Sequence, residues 1–199
     1  MQPGSEKPKE PLLSVRGEKV GLGAWLPEHF EAWMEAIHDP ETNIYSDGGF
    51  VMPDRQREAH LLEETTRNGG ANFAIYALPE ERFVGLCGLF KVDQKRGTAT
   101  FGITIIDKAY WGKGYGTEAA RLTLDFGFRF LNLHNIMLDT TEFNQRAIRA
   151  YQKAGFKLIG RRRQANPLAG KRYDQVFMDC LATEFEPPTP GWFRLPDND

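Results

Sequence analysis

The chain has 199 residues, 41% hydrophobic and 26% charged, with a formal net charge of −2. This suits one soluble globular domain with tails, and it lacks the basic excess that broad binding to nucleic acid or an anionic membrane needs. No apolar run approaches the ~20 residues that span a bilayer, and the opening MQPGSEKPKEP has no apolar stretch of a secretory signal, so a cytoplasmic protein is expected.

In chain order, residues 1–11 are rich in Pro, Lys and Glu and read as a disordered tail. Lys19 to Trp25 reads as a first strand. Pro27 opens a helix to about Ile37, because proline suits a first helical turn, and Asp39-Pro40 ends it. Residues 43–53 read as a loop, with Ser46-Asp47-Gly48-Gly49 as turn chemistry. A second helix is expected from Pro53-Asp54 to about Arg67, closed by Asn68-Gly69-Gly70. Phe73 to Leu78 and Phe83 to Val92 read as two strands joined by a Pro-Glu-Glu turn.

Thr98 to Ile106 is the clearest strand, since Ala99, Phe101, Ile103 and Ile105 alternate with Thr98, Thr100, Gly102 and Thr104. A helix over about Gly114–Phe130 has a wide apolar stripe and is expected to be mostly buried. Asn135 to Thr141 reads as a strand, and Asn144 to Ala154 as a helix with Asn144 as N-cap and Gly155 as its stop. Phe156 to Arg163 and Tyr173 to Leu181 are the last strands, the final one expected to be exposed. Residues 185–199 read as an irregular tail, which leaves one domain over 12–184. The order of elements implies an α+β fold, a mixed central sheet flanked by helices.

Trp111-Gly112-Lys113-Gly114-Tyr115-Gly116-Thr117-Glu118 carries the strongest chemical signal. A glycine-rich turn between a strand and a helix presents backbone N–H groups and the positive end of the helix dipole to one point, which suits a phosphate or pyrophosphate. Taken alone, the turn is equally compatible with a tight β–α connection that binds nothing. It lacks the ending of a P-loop and the full Rossmann fingerprint. Cys87 and Cys180 lie in apolar strand contexts and read as buried thiols, with no histidine pattern that would make a metal site.

About thirty residues later, Asn144, Ala147, Tyr151, Gly155 and Phe156 form a second spaced pattern. With the glycine turn, it resembles the GNAT-type N-acetyltransferase superfamily, in the branch of ribosomal-protein N-terminal acetyltransferases and spermidine acetyltransferases. The resemblance covers about residues 15–183 and is sharp over 98–160. It implies a GNAT-like, mostly antiparallel sheet and acetyl-CoA as co-substrate, with no metal. It places the CoA pyrophosphate on the turn from Trp111 and Gly112 through Lys113, Gly114, Tyr115 and Gly116 to Thr117. The pantetheine amides would pair with the strand end at Ile105 and Ile106, with Asn144 and Ala147 beside the cofactor arm. Tyr151 would be the general acid at the sulfur. Trp111 stands where the family usually has Gln or Arg and is expected to supply no side-chain donor.

The family's usual carboxylate on the strand before the turn is missing, because Thr100 and Phe101 stand there. Glu142 and Asp47 are the candidate general bases, and a solvated surface acid is the alternative reading of each. The expected reaction is direct acetyl transfer to a primary amine of a polyamine, a protein N-terminus or another small molecule. Glu41, Asp47, Asp54, Glu58 and Glu63 make the acceptor region mildly acidic, which favours a cationic amine. A non-catalytic CoA-binding sensor is the alternative function, and a homodimer through an exposed final strand is a further expectation.

Overall fold

The computed structural model describes residues 12–47, 52, 54–60 and 70–188. The expectations for residues 1–11 and 189–199, and for the end of the helix predicted from Pro53, lie outside the described residues. The strands are β1 (Leu13–Arg16), β2 (Val20–Gly23), β3 (Ala71–Ala77), β4 (Arg82–Asp93), β5 (Thr98–Ile105), β6 (Asn135–Thr141), β7 (Lys157–Leu168) and β8 (Lys171–Leu181). They form one sheet in the order β1-β2-β3-β4-β5-β6-β8-β7. Every neighbouring pair is antiparallel except β5 and β6. The helices are α1 (His29–His38), α2 (Pro40–Asp47), α3 (Tyr115–Arg129) and α4 (Gln145–Ala154), and residues 55–60 are also helical. Among the described residues no helix is long and apolar enough to cross a membrane.

The alternation in β5 buries Ala99 and Phe101 against the main core. The stripe of α3 buries Ala119, Ala120, Leu122 and Leu124 in the same core. Gly127 lets this helix approach the sheet: a Cβ there would lie 2.7 Å from Ile136 Cδ1 and 2.9 Å from Leu89 Cδ1. A smaller cluster of Ala74, Tyr76 and Leu86 packs on the other face against Leu13, Trp25, Trp33 and Phe83. Both cysteines are buried free thiols, and burial pushes Cys87 up to about 12.

Three expectations are corrected. The first strand is half of a hairpin: Gly17 N–H donates to Val20 O at 2.8 Å, and the turn separates β1 from a shorter β2 ending at Gly23. The loop predicted over 43–53 begins as helix α2. Asp39-Pro40 ends α1 and also starts α2, because Asp39 Oδ1 accepts from Thr42 N at 2.9 Å while proline sits in the first turn. Finally, β8 is not exposed at an edge. It lies between β6 and β7, so β7 is the edge strand and carries the exposed Leu158 and Ile159.

Candidate active site

The single parallel pair creates the site. β5 and β6 are registered only over Thr98↔Asn135, Ala99↔Ile136 and Thr100↔Met137. Beyond Thr100 each strand keeps its outer partner, β4 or β8, and the two part company. A cleft of about 770 Å³ lies at this splay, lined by the end of β5, the glycine turn, one face of α4, part of α2 and the β1–β2 turn. That volume is within the usual range for a small-molecule site.

Strand alternation decides which backbone groups face the gap. Ile106 N–H donates to Val84 O at 2.9 Å, so its amide belongs to the β4 side. Ile105 faces the other way, and its carbonyl accepts from Trp111 Nε1 at 2.7 Å. Two sequence expectations change here. Trp111 does supply a side-chain donor, spent within the protein, and the Ile106 amide is taken by β4.

The glycine turn meets the requirement for an anion cradle. Gly112 and Gly114 have φ of +72° and +92°, and a Cβ on Gly112 would meet nothing within 4 Å. Gly114 is the N-cap of α3 and offers no side chain, so the first-turn amides are left uncapped. Lys19 leans across from the β1–β2 turn, with Nζ donating to Lys113 O at 3.0 Å. Glu118 fixes that turn: its two carboxylate oxygens accept from Glu18 N at 2.6 Å and Lys19 N at 2.8 Å. Arg16, Arg121, Arg149 and Lys153 add positive charge along the cleft.

Asn144 is the N-cap of α4, as its sequence position predicts. Its Oδ1 accepts from Ala147 N at 3.2 Å, and its Nδ2 donates to Tyr45 O at 3.3 Å, which ties α4 to α2. Tyr151 lies about two turns further and lines the cleft, its ring edge-on to Phe101 and Phe156. Burial pushes its hydroxyl up to about 12; the Asp139 charge adds to this and Arg146 opposes it. The phenol therefore holds its proton throughout the neutral range.

The structure brings Ile105, Trp111, Gly112, Gly114, Gly116, Thr117, Asn144, Ala147 and Tyr151 together in the cleft lining. Ile106, Lys113 and Tyr115 do not line it. Glu142 is also outside the lining. Its Oε1 accepts from Asp174 N at 2.8 Å and its Oε2 faces Arg161 at 3.5 Å, so this carboxylate braces β8 against the end of β6. The side chain of Asp47 lies outside the described residues.

The end of the cleft beside α2 holds residues that sequence reasoning missed. Arg146 stacks on the Trp111 ring with 3.6 Å from Cζ to the centroid, and lies 5.0 Å from the Tyr45 ring. Burial lowers the Arg146 pKa, against the opposing charges of Tyr45, Glu41 and Tyr151. Lys108 Nζ pairs with Asp39 Oδ1 at 2.7 Å and with Glu41 Oε2 at 2.8 Å. The Lys108 hydrogen bond holds the Asp39 carboxyl down at about 2. Glu58 accepts from Trp33 Nε1, and Asp54 accepts from Arg57 N. Among the described side chains, the acids expected in this region (Glu41, Asp54 and Glu58) are thus committed within the protein. The spacing of Arg146, Arg149 and Lys153, three and four residues apart, was a readable signal for one basic helix face toward the cleft.

Residues 19–157 match the family model described as an acetyltransferase (GNAT) domain. The chain is 33% identical over 171 residues to the spermidine N(1)-acetyltransferase of Escherichia coli (strain K12), covering 84% of this chain and 78% of the relative. It is 27% identical over 171 residues to the uncharacterized N-acetyltransferase p20 of Bacillus licheniformis, covering 84% of this chain and 96% of the relative. Among solved structures, the spermidine N-acetyltransferase of Vibrio cholerae in complex with CoA and spermine superposes with a TM-score of 0.73 at 21% identity, over 83% of this chain and 97% of that one. A GNAT-family acetyltransferase of Bacillus anthracis gives 0.71 at 23% identity, over 85% and 99%. The splayed parallel pair and the glycine turn at the head of α3 fall inside the matched span, and the chain belongs to the GNAT family of acetyl-CoA-dependent N-acetyltransferases.

Proposed function

We propose that the protein transfers the acetyl group of acetyl-CoA directly to a primary amine, with Tyr151 as the general acid. The observation that carries this reading is the position of Tyr151: a protonated phenol in the lining of the splay, on the helix wall facing β5. The uncapped amides of α3 and the turn amides at Gly112 and Gly114 suit the CoA pyrophosphate, with Lys19 beside them. Strand alternation turns the Ile103 backbone and the Ile105 N–H toward the gap, where the pantetheine amides could add as a strand.

In the reaction, the neutral amine attacks the thioester carbonyl carbon. The C=O pair moves onto oxygen, and a backbone N–H of β5 directed into the gap stabilises that oxyanion. Collapse breaks the C–S bond, and the thiolate takes the Tyr151 proton as it leaves. The nitrogen gives one proton to solvent, Tyr151 is reprotonated, and an N-acetyl amine and CoA remain. Neither buried thiol suits a covalent intermediate, because burial keeps Cys87 and Cys180 protonated.

The test is thiol release from acetyl-CoA with a panel of polyamines, peptides with free N-termini, lysine peptides and aminoglycosides. Acceptor-dependent release is expected. Tight CoA binding by calorimetry without release from any amine would replace transfer by sensing.

A further inference from the structure

Arg146 is half-buried in the first turn of α4, with the face of its guanidinium on Trp111 and Tyr45 nearby. Among the described residues it has no hydrogen-bond or ion-pair partner. The acids at this end of the cleft are already taken, since Asp39 and Glu41 both pair with Lys108. Stacking occupies the flat face of a guanidinium and leaves its N–H donors in the plane, in the fork geometry that matches a carboxylate. A partly desolvated cation without a counter-ion is unfavourable, and an anion supplied by a ligand relieves that. Lys19 and Arg121 line the cleft from the β1–β2 hairpin and α3, whereas Arg146 sits beside α2, so a CoA pyrophosphate on the glycine turn has cations without it.

A second observation concerns the amine. The carboxylates among the described residues of the lining are Glu18 on the β1–β2 turn and Glu118 on α3, and Glu118 already accepts from Glu18 N and Lys19 N. No described carboxylate at the acceptor end is free to take a proton. An amine of pKa ~10.4 would enter almost wholly charged, whereas a peptide α-amine, with pKa ~7.7–8.0, is partly neutral near pH 7.5. A polyamine would also bring its positive charge toward Arg146.

Resting on the acetyl-transfer reading, we propose that the acceptor is an α-amine with a carboxylate a few bonds away, and that this carboxylate docks on Arg146 while the amine reaches the thioester beside Tyr151. A peptide with an acidic residue near its N-terminus has both features, while a free acidic amino acid offers the carboxylate on a more basic amine.

The experiment compares kcat/KM for Ala-Glu-amide, Ala-Gln-amide, Ala-Lys-amide, free glutamate and spermidine, with the wild type, Arg146→Gln and Arg146→Lys. The Glu peptide should exceed the Gln peptide by about 10-fold or more, as for a hydrogen-bonded charge pair. Arg146→Gln should remove that preference through the acceptor KM, Arg146→Lys should restore part of it, and acetyl-CoA affinity by calorimetry should not change. Activity with free glutamate but not the peptides would identify the amino acid as the source, and the reverse would identify the peptide. Preference for spermidine or the Lys peptide would overturn the proposal and leave acetyl transfer standing. So would an Arg146→Gln effect confined to acetyl-CoA affinity. No thiol release with any acceptor would overturn both.

Discussion

Trp111 Nε1 donates to the Ile105 carbonyl at 2.7 Å, so the first residue of the glycine turn is tied to the end of the strand that precedes it. The bond spans six residues and sets the angle at which the turn leaves β5. Trp111→Phe keeps a ring under Arg146 but loses the donor. The expected result is a rise of about 2–10-fold in KM for acetyl-CoA, the size of one net hydrogen bond. Unchanged KM in steady-state kinetics would show that the turn holds its shape without it.

Gly114 has φ of +92°, and a Cβ there would lie 3.4 Å from Lys19 Nζ. Gly114→Val puts a β-branched residue in the left-handed region, at a cost of about 1–2 kcal/mol or more, and places its side chain where the pyrophosphate is proposed to lie. The variant should still fold, by circular dichroism and thermal melting, yet lose calorimetric binding of acetyl-CoA. Retained binding would remove the phosphate role of the turn.

Tyr151→Phe should lower kcat by about 10²–10⁴-fold with little change in acetyl-CoA affinity. Because burial raises the Tyr151 pKa to about 12, the wild-type pH–rate profile should climb as the acceptor amine deprotonates and show no alkaline fall below that value. A tyrosine-dependent fall between pH 8 and 10, absent in the phenylalanine variant, would contradict the raised pKa.

Glu142→Gln separates bracing from base catalysis. Its carboxylate holds the Asp174 amide and faces Arg161. The variant should lose about 1 kcal/mol of stability in denaturant unfolding, with kcat within about threefold of wild type. A drop of two orders of magnitude in kcat would make Glu142 the base after all.

His29 carries a pH dependence of stability. Its Nδ1 accepts from Leu26 N at 3.1 Å, its ring stacks on Phe83, and burial lowers its pKa below 6.5. The unfolded chain therefore takes up this proton first as pH falls. His29 contributes fully above ~6.5, and its contribution declines as pH drops from there toward the folded pKa. NMR titration of the ring should give a midpoint below 6.5; a midpoint above it would reverse the sign.

Much of the frame was legible because it depends on neighbours in sequence. The period-two pattern of β5, the glycine turn and the Asn144 cap are each set within a few residues, and the structure keeps all three. Helix α2 was misread for a local reason as well: Asp39-Pro40 can end one helix and begin another, and only packing chose both.

The sequence by itself determined the family, and it offered the glycine turn as a candidate cofactor cradle and Tyr151 as a candidate acid, because those features are short spacings on single elements. Tertiary structure alone decided the end of the cleft beside α2, where the acceptor is proposed to bind. Tyr45, the Lys108–Trp111 pair and Arg146 come from three separate segments, and their charges and rings meet only once α2 has packed beside the splayed strands. Neither the pairing of Lys108 with Asp39 and Glu41 nor the unpaired state of Arg146 can be read from spacing, because pairing of charges depends on distances that the folded chain sets.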